Sequence, residues 1–223
     1  MRSATAPAGA AFGLLDRDFY ERPADDVAPE LLGKVLVVRD GSSDAYRAGR
    51  IVETEAYVGQ DDLACHASKG YTRRTSTLFG PAGHAYVYLI YGMYDLFNVV
   101  SQPEGVPHAV LVRGVEPISP DDTVAATLSF PLTRVPEGAR GDGPGRLTRA
   151  LGIVLAHDKS PLHGPDIYLL DGPKPPDVKV TPRIGVSGAG SWADAPLRYL
   201  DPTSRHVSRP PPSQVGSGRR AAV

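Results

Sequence analysis

Apolar positions along this chain come in short runs, and most follow the period of a strand. Lys34–Arg39 reads Lys-Val-Leu-Val-Val-Arg, a β-branched run expected to form a buried strand. Arg50–Tyr57, Ala85–Ile90, Leu96–Gln102 and Pro107–Glu116 read as four more strands, and Tyr91-Gly92-Met93 supplies a turn that makes a hairpin of the middle pair. Shorter strands are expected at Ile167–Leu170, Arg183–Ser187 and Pro196–Leu200. Helical spacing is limited to Leu14–Glu21, Pro29–Leu32 and Gly145–Leu155, the last through Leu147, Ala150, Leu151 and Val154. Strands joined by tight turns, with few crossover helices, predict an antiparallel α+β domain.

Between these elements lie two long polar stretches. Residues 58–83, rich in Gly, Ser, Thr and charge, are expected to be a functional loop, and residues 119–143 a variable surface. Residues 1–12 and 209–223 read as disordered tails around one domain at 13–208.

Composition narrows the function classes. Cys65 is the only cysteine in 223 residues, so neither an intrachain disulfide nor a cysteine-based zinc site is available. No apolar run approaches the ~20 residues of a membrane helix, and Met1–Phe12 lacks a signal-peptide core. The reading is a protein that is not secreted and has no membrane partner, cytoplasmic or at the nucleoid in a prokaryote and nuclear in a eukaryote. Net charge is −1, but residues 1–66 carry 7 Lys/Arg against 12 Asp/Glu and residues 67–223 carry 17 against 13. The basic groups gather at Arg73–Arg74, at Arg134, Arg140, Arg146 and Arg149, and at Arg198, Arg205 and Arg209. Such patches can bind phosphate, although scattered solubility charges explain them equally well.

The chemistry concentrates between Glu53 and Asn98. Residues two apart on a strand share a face, roughly 6.6–6.8 Å apart, so Glu53, Glu55 and Tyr57 point one way and Thr54 and Ala56 the other. Two carboxylates beside a tyrosine suit a general base at a pocket wall; a solvent face is the plainer alternative. Tyr86 and Tyr88 share a face, and Tyr91 stands at the hairpin bend, where a wedge into a duplex is one use of an aromatic and simple packing another. His66 has no second His or Cys at ligand spacing, so no metal is expected. Asn98 and Arg113 sit in apolar strands and need partners, for which Glu53 and Glu55 are the natural acids for Arg113. Gly143-Pro144-Gly145 opens a helix as a cap or a phosphate contact, without the Lys and Ser/Thr of a nucleotide P-loop.

Several motifs go beyond generic pattern. Arg50-Ile-Val-Glu-Thr-Glu-Ala-Tyr57, His66, Phe79-Gly-Pro, Tyr86-Val-Tyr-Leu-Ile-Tyr-Gly-Met93, Asn98, Val110-Leu-Val-Arg113, Gly143-Pro-Gly-Arg-Leu-Thr-Arg-Ala-Leu-Gly-Ile153 and Pro182-Arg-Ile-Gly-Val186 closely resemble the alkyladenine (3-methyladenine) DNA glycosylase family. The resemblance runs from about Leu14 to Ser208. It implies a single α+β domain with a curved antiparallel sheet, flanking helices and a protruding hairpin. It further implies a monomeric, metal- and cofactor-free, monofunctional glycosylase that flips damaged purines out of duplex DNA and hydrolyses the glycosidic bond. By position, Glu55 matches the general base. Arg113 and the backbone carbonyl of Ile184 match the groups that hold the nucleophilic water. Tyr57, His66 and Tyr88 match the walls around the flipped base, Asn98 the residue disfavouring the exocyclic amine of guanine, and Tyr91 the intercalating residue. Glu53 is a neighbour of the base rather than the catalyst. The Ser101–His108 loop is slightly longer than in vertebrate members, and Asp95 adds a negative charge near the wedge. A damaged-nucleic-acid binder without activity, or a nucleoside hydrolase, stays open as an alternative use of such a pocket.

Overall fold

The computed structural model describes residues 12–208, so both expected tails lie outside the described residues apart from Phe12. Among the described residues an antiparallel sheet of eight strands dominates. Its strands are β1 (Val35–Arg39), β2 (Tyr46–Val58), β3 (Ala85–Ile90), β4 (Tyr94–Ser101), β5 (His108–Ile118), β6 (Ile167–Leu170), β7 (Lys179–Thr181) and β8 (Arg198–Leu200). The order is β3-β4-β5-β2-β1-β6, with β8 paired to both β2 and β7. The sheet curls into a half-barrel and the helices are few, which is the expected α+β fold. No helix among the described residues is long and apolar enough to cross a membrane.

Both faces of the sheet are covered. On one, Leu36, Val38, Ile51, Ala56, Val87, Phe97, Val99, Val110 and Val112 pack with helices α2 (Ala24–Glu30) and α3 (Pro144–Leu151). Thr54, on that side, donates to the Ala28 carbonyl at 2.8 Å. On the other, Cys65, Ala67, Leu78, Tyr86, Val100 and Ala109 form a smaller cluster under the 58–83 loop, with Tyr57 and Tyr88 at its margin. Burial on both sides explains why the strands read as apolar runs rather than clean alternations.

One irregularity places the site. The β2–β5 register runs Ile51↔Val115, Glu53↔Gly114, Thr54↔Val112, leaving Val52 and Arg113 without direct partners. A bulge of this kind bends the pair and re-aims side chains. Ile51 and Ala56, an odd number of residues apart, therefore share the core, as do Val112 and Val115. Arg113, the unpaired residue on β5, turns toward the two glutamates.

Four expected elements shift. The helix predicted at Pro29–Leu32 spans Ala24–Glu30: Pro23 caps it, Asp25 and Asp26 complement its positive end, and Pro29 lies in its last turn instead of opening it. The helix predicted to Leu155 stops at Leu151, and Leu155–His157 forms a separate 3-10 turn. Arg183–Ser187 is a loop, because Gly185 takes a φ of +81° that extended backbone excludes; the strand lies just before it, at β7. Helix α1 (Arg17–Tyr20) is shorter than the Leu14–Glu21 pattern and is capped by Asp16, which accepts from the Phe19 N–H at 2.9 Å.

Candidate active site

β2 carries Glu53, Glu55 and Tyr57 on one face, as parity predicts. Both carboxylates are fully buried, which removes the solvent-face alternative. Their surroundings divide them. Glu53 accepts from Arg113 Nε at 3.1 Å, Arg198 Nε at 2.6 Å, Ser208 Oγ at 2.7 Å and the Ser208 N–H at 2.5 Å. Four donors, three on Oε1 and one on Oε2, fix it as a structural hub. Glu55 accepts from the Tyr57 hydroxyl at 2.9 Å and Arg113 Nη1 at 3.2 Å through Oε2, and from the Ile184 N–H at 2.7 Å through Oε1. A carboxylate offers about four lone-pair sites, so one remains free, on Oε1. Arg113 bridges the acids, and with Arg198 the buried cluster has two cations and two carboxylates. Burial pulls the Arg113 pKa down, but Glu55 and Glu53 outweigh it and the net shift is upward, so the guanidinium stays charged.

In front of Glu55 lies a cavity of about 260 Å³, lined among others by Tyr57, His66, Tyr88, Asn98, Arg113 and Ile184. The site thus brings together every residue predicted from sequence, from strands β2 to β5 and two loops. Glu55 sits behind the wall that its three donors form. Ile184 meets it through the backbone N–H, a contact additional to the one expected between its carbonyl and the water. The His66 ring lies edge-on to Tyr88, with centroids 4.5 Å apart, and its Nδ1 is 2.9 Å from the Tyr86 hydroxyl. Burial, and then the nearby Arg74, push the His66 pKa down to about 4, so the imidazole is neutral at pH 7. Burial and Glu55 raise the Tyr57 pKa, keeping the phenol protonated as a donor. Asn98 is buried, and its Nδ2 donates to the Tyr86 carbonyl at 3.1 Å, fixing the amide.

The hairpin tip stands out from this cavity. Ile90 accepts from the Met93 N–H at 3.1 Å, and Tyr91 and Gly92 take φ of 52° and 66°, the positive pair that a type I′ turn demands. Glycine meets that demand without strain; a bulky residue does not. Tyr91 accepts the strain while 82% exposed, beside exposed Leu89 and Met93. An aromatic held in this way is unexplained by packing.

Sequence reading missed the supports. Arg183 lies 4.7 Å from the Tyr57 ring centroid and pairs with Asp62, both side chains fully buried. Their separation along the chain leaves no local signal; the only hint was Arg183 beside Ile184. Of the basic clusters, Arg198 turns inward to Glu53 and Arg134 pairs with Asp121. Arg140, Arg146 and Arg149 line a groove that adjoins the cavity through Pro144 and Ile184. Among the described residues no group of three or more His, Cys, Asp or Glu is placed to hold a metal ion.

A buried acid behind an aromatic pocket, next to an exposed tyrosine at a hairpin tip, is the arrangement a DNA glycosylase would need. Comparison with known proteins narrows the class. The family described as methylpurine-DNA glycosylase matches residues 18–205. A protein of Myxococcus xanthus (strain DK1622) named "Putative 3-methyladenine DNA glycosylase" is 51% identical over 200 residues, covering 89% of this chain and 95% of its own length. Proteins of the same name from Legionella pneumophila (strain Lens) and Methanocella arvoryzae are 46% and 44% identical, covering 87% and 91% of this chain and 98% and 99% of their own lengths. The chain belongs to the methylpurine-DNA glycosylase family.

Proposed function

We propose that residues 13–208 act as a monomeric, monofunctional glycosylase domain that starts base excision repair in the cytoplasm or nucleoid. Its substrates are alkylated or deaminated purines of the 3-methyladenine, 7-methylguanine, hypoxanthine and etheno-adenine class in duplex DNA. The observation that carries this reading is Glu55, a buried carboxylate held by three donors with one lone-pair site left, directly behind an aromatic cavity.

The anomeric carbon is shielded in a stacked duplex, so the nucleotide must rotate out at a cost of a few kcal/mol, least for a damaged pair. Tyr91 fills the gap it leaves. Arg146 and Arg149, beside the pocket mouth, meet backbone phosphates. The flipped base lies between Tyr57 on one side and the contacting pair His66 and Tyr88 on the other. A cationic purine against these rings gains ~0.5–2 kcal/mol, too little to reject normal bases alone. The remaining selection comes from leaving ability, since a cationic purine departs without a proton, and from Asn98, which crowds the guanine amine.

Water bound between Oε1 of Glu55, Arg113 and the Ile184 carbonyl attacks the sugar as the glycosidic bond breaks. Glu55 takes its proton and stabilises the oxocarbenium-like charge. The base leaves with the bonding electrons, and the products are free base and an abasic site. No lysine lines the cavity, so no Schiff base and no strand cleavage belong to this mechanism.

A labelled duplex carrying one hypoxanthine, incubated with the protein and then treated with alkali, tests the reading. Strand breaks that appear only after alkali are expected. Intact strands, with tight binding of the damaged duplex, would make the protein a non-catalytic binder; cleavage of free nucleosides instead would make it a nucleoside hydrolase.

A further inference from the structure

The Tyr57 ring is backed by a charge. The Arg183 guanidinium stands 4.7 Å from its centroid; its side chain is fully buried and lines no part of the cavity, so it occupies the face turned away from the pocket. Asp62, equally buried, accepts from both terminal nitrogens, at 2.8 Å for Nη2 to Oδ1. It also accepts the backbone N–H groups of Val58 at 3.2 Å and Ala64 at 3.0 Å. Arg183 also donates to the Ala56 carbonyl at 2.8 Å and the Trp192 carbonyl at 3.3 Å, while its buried Nε has no partner.

A cation on one face of an aromatic ring draws on the same quadrupole that would attract a cation on the other. Two cations sandwiching Tyr57 would repel each other where little water screens them. The second wall, Tyr88, has Arg74 at 5.3 Å, but that side chain is exposed and screened. Behind Tyr57 the ion-pair partner of Arg183 is Asp62, and Glu55 adds a weaker attraction.

We propose that Asp62 is a specificity-determining residue: by cancelling the Arg183 charge behind Tyr57, it lets the pocket accept cationic alkylated purines as well as neutral ones. This rests on the reading of Tyr57 as a wall of the base pocket. The pair acts through the ring and touches no reacting atom.

The test is single-turnover release of 3-methyladenine from methylated duplex and of hypoxanthine from a hypoxanthine duplex, in wild type, Asp62→Asn, Arg183→Gln and the double variant. The quantity read is the cationic-to-neutral ratio of second-order rate constants, with protein well below saturation. The intrinsic difference in leaving ability is common to all four proteins and cancels between them. Asp62→Asn should lower the ratio roughly tenfold, the order of a unit charge acting at an effective dielectric of ~20. Arg183→Gln should raise it, and the double variant should return it to the wild-type value. Both lesions slowed alike in the single variants would make the pair a purely structural clamp and overturn the proposal. Should Asp62→Asn not accumulate as folded protein, Arg183→Gln decides: a raised ratio supports the proposal and an unchanged one overturns it. A wild-type protein that releases neither base overturns the glycosylase reading, and the inference falls with it.

Discussion

Glu53 and Glu55, two residues apart on one strand face, differ only in their partners. Glu53 is held by four donors, three of them on one oxygen, whereas Glu55 is held by three, all from residues that line the cavity. His66 makes a residue-scale prediction. Its folded pKa is lowered from 6.5 to about 4 by burial and Arg74. Between those values the unfolded chain binds a proton that the folded chain refuses, so stability falls as pH falls from 6.5 toward 4. Thermal melts across that window should show the loss. His66→Gln should flatten the slope only in part, because burial lowers the His108 pKa as well. An unchanged slope would remove His66 from the buried wall. Parity and the family motifs made Glu55, Tyr57, Tyr88 and Arg113 legible in sequence. Asp62 and Arg183 were not, because nothing local announces a buried pair assembled from distant loops.

At the scale of elements, the strands were legible and their irregularities were not. A bulge changes which residues share a face without changing composition, so the pairing of Arg113 with Glu53 and Glu55 could be read from sequence but the irregular register that allows it could not. The hairpin was legible through Gly92, but the positive φ of Tyr91 was not. Tyr91→Ser should leave the fold intact while weakening affinity for a hypoxanthine duplex by tenfold or more, given stacking worth ~1–3 kcal/mol per base; titration of labelled duplex checks this, and unchanged affinity would contradict the wedge role. Helix α3 meets the base of the hairpin closely: a Cβ added at Gly145 would come within 2.8 Å of Tyr94 Cδ1. Gly145→Val should therefore displace Tyr94, at ~1–3 kcal/mol for overpacking. A lowered melting temperature together with weaker damaged-duplex binding is expected. A normal melting temperature would mean that the helix and hairpin are not in contact.

For the molecule as a whole, net charge says little and its placement says more. The sum is −1, yet Arg140, Arg146 and Arg149 line the groove beside the pocket mouth. Binding to duplex should weaken linearly in log salt, with a slope of about −0.9 per phosphate neutralised. Arg146→Ala should lower the magnitude of that slope by about one phosphate contact's worth; an unchanged slope would place the DNA backbone elsewhere. The proposed function stands or falls with Glu55, held behind the cavity by its three donors. Its most direct test is single-turnover release of hypoxanthine from duplex by wild type and Glu55→Gln, with binding of the same duplex measured in parallel. The account predicts release by wild type, and by Glu55→Gln no release above the uncatalysed background with affinity retained. Release by Glu55→Gln at the wild-type rate would contradict it.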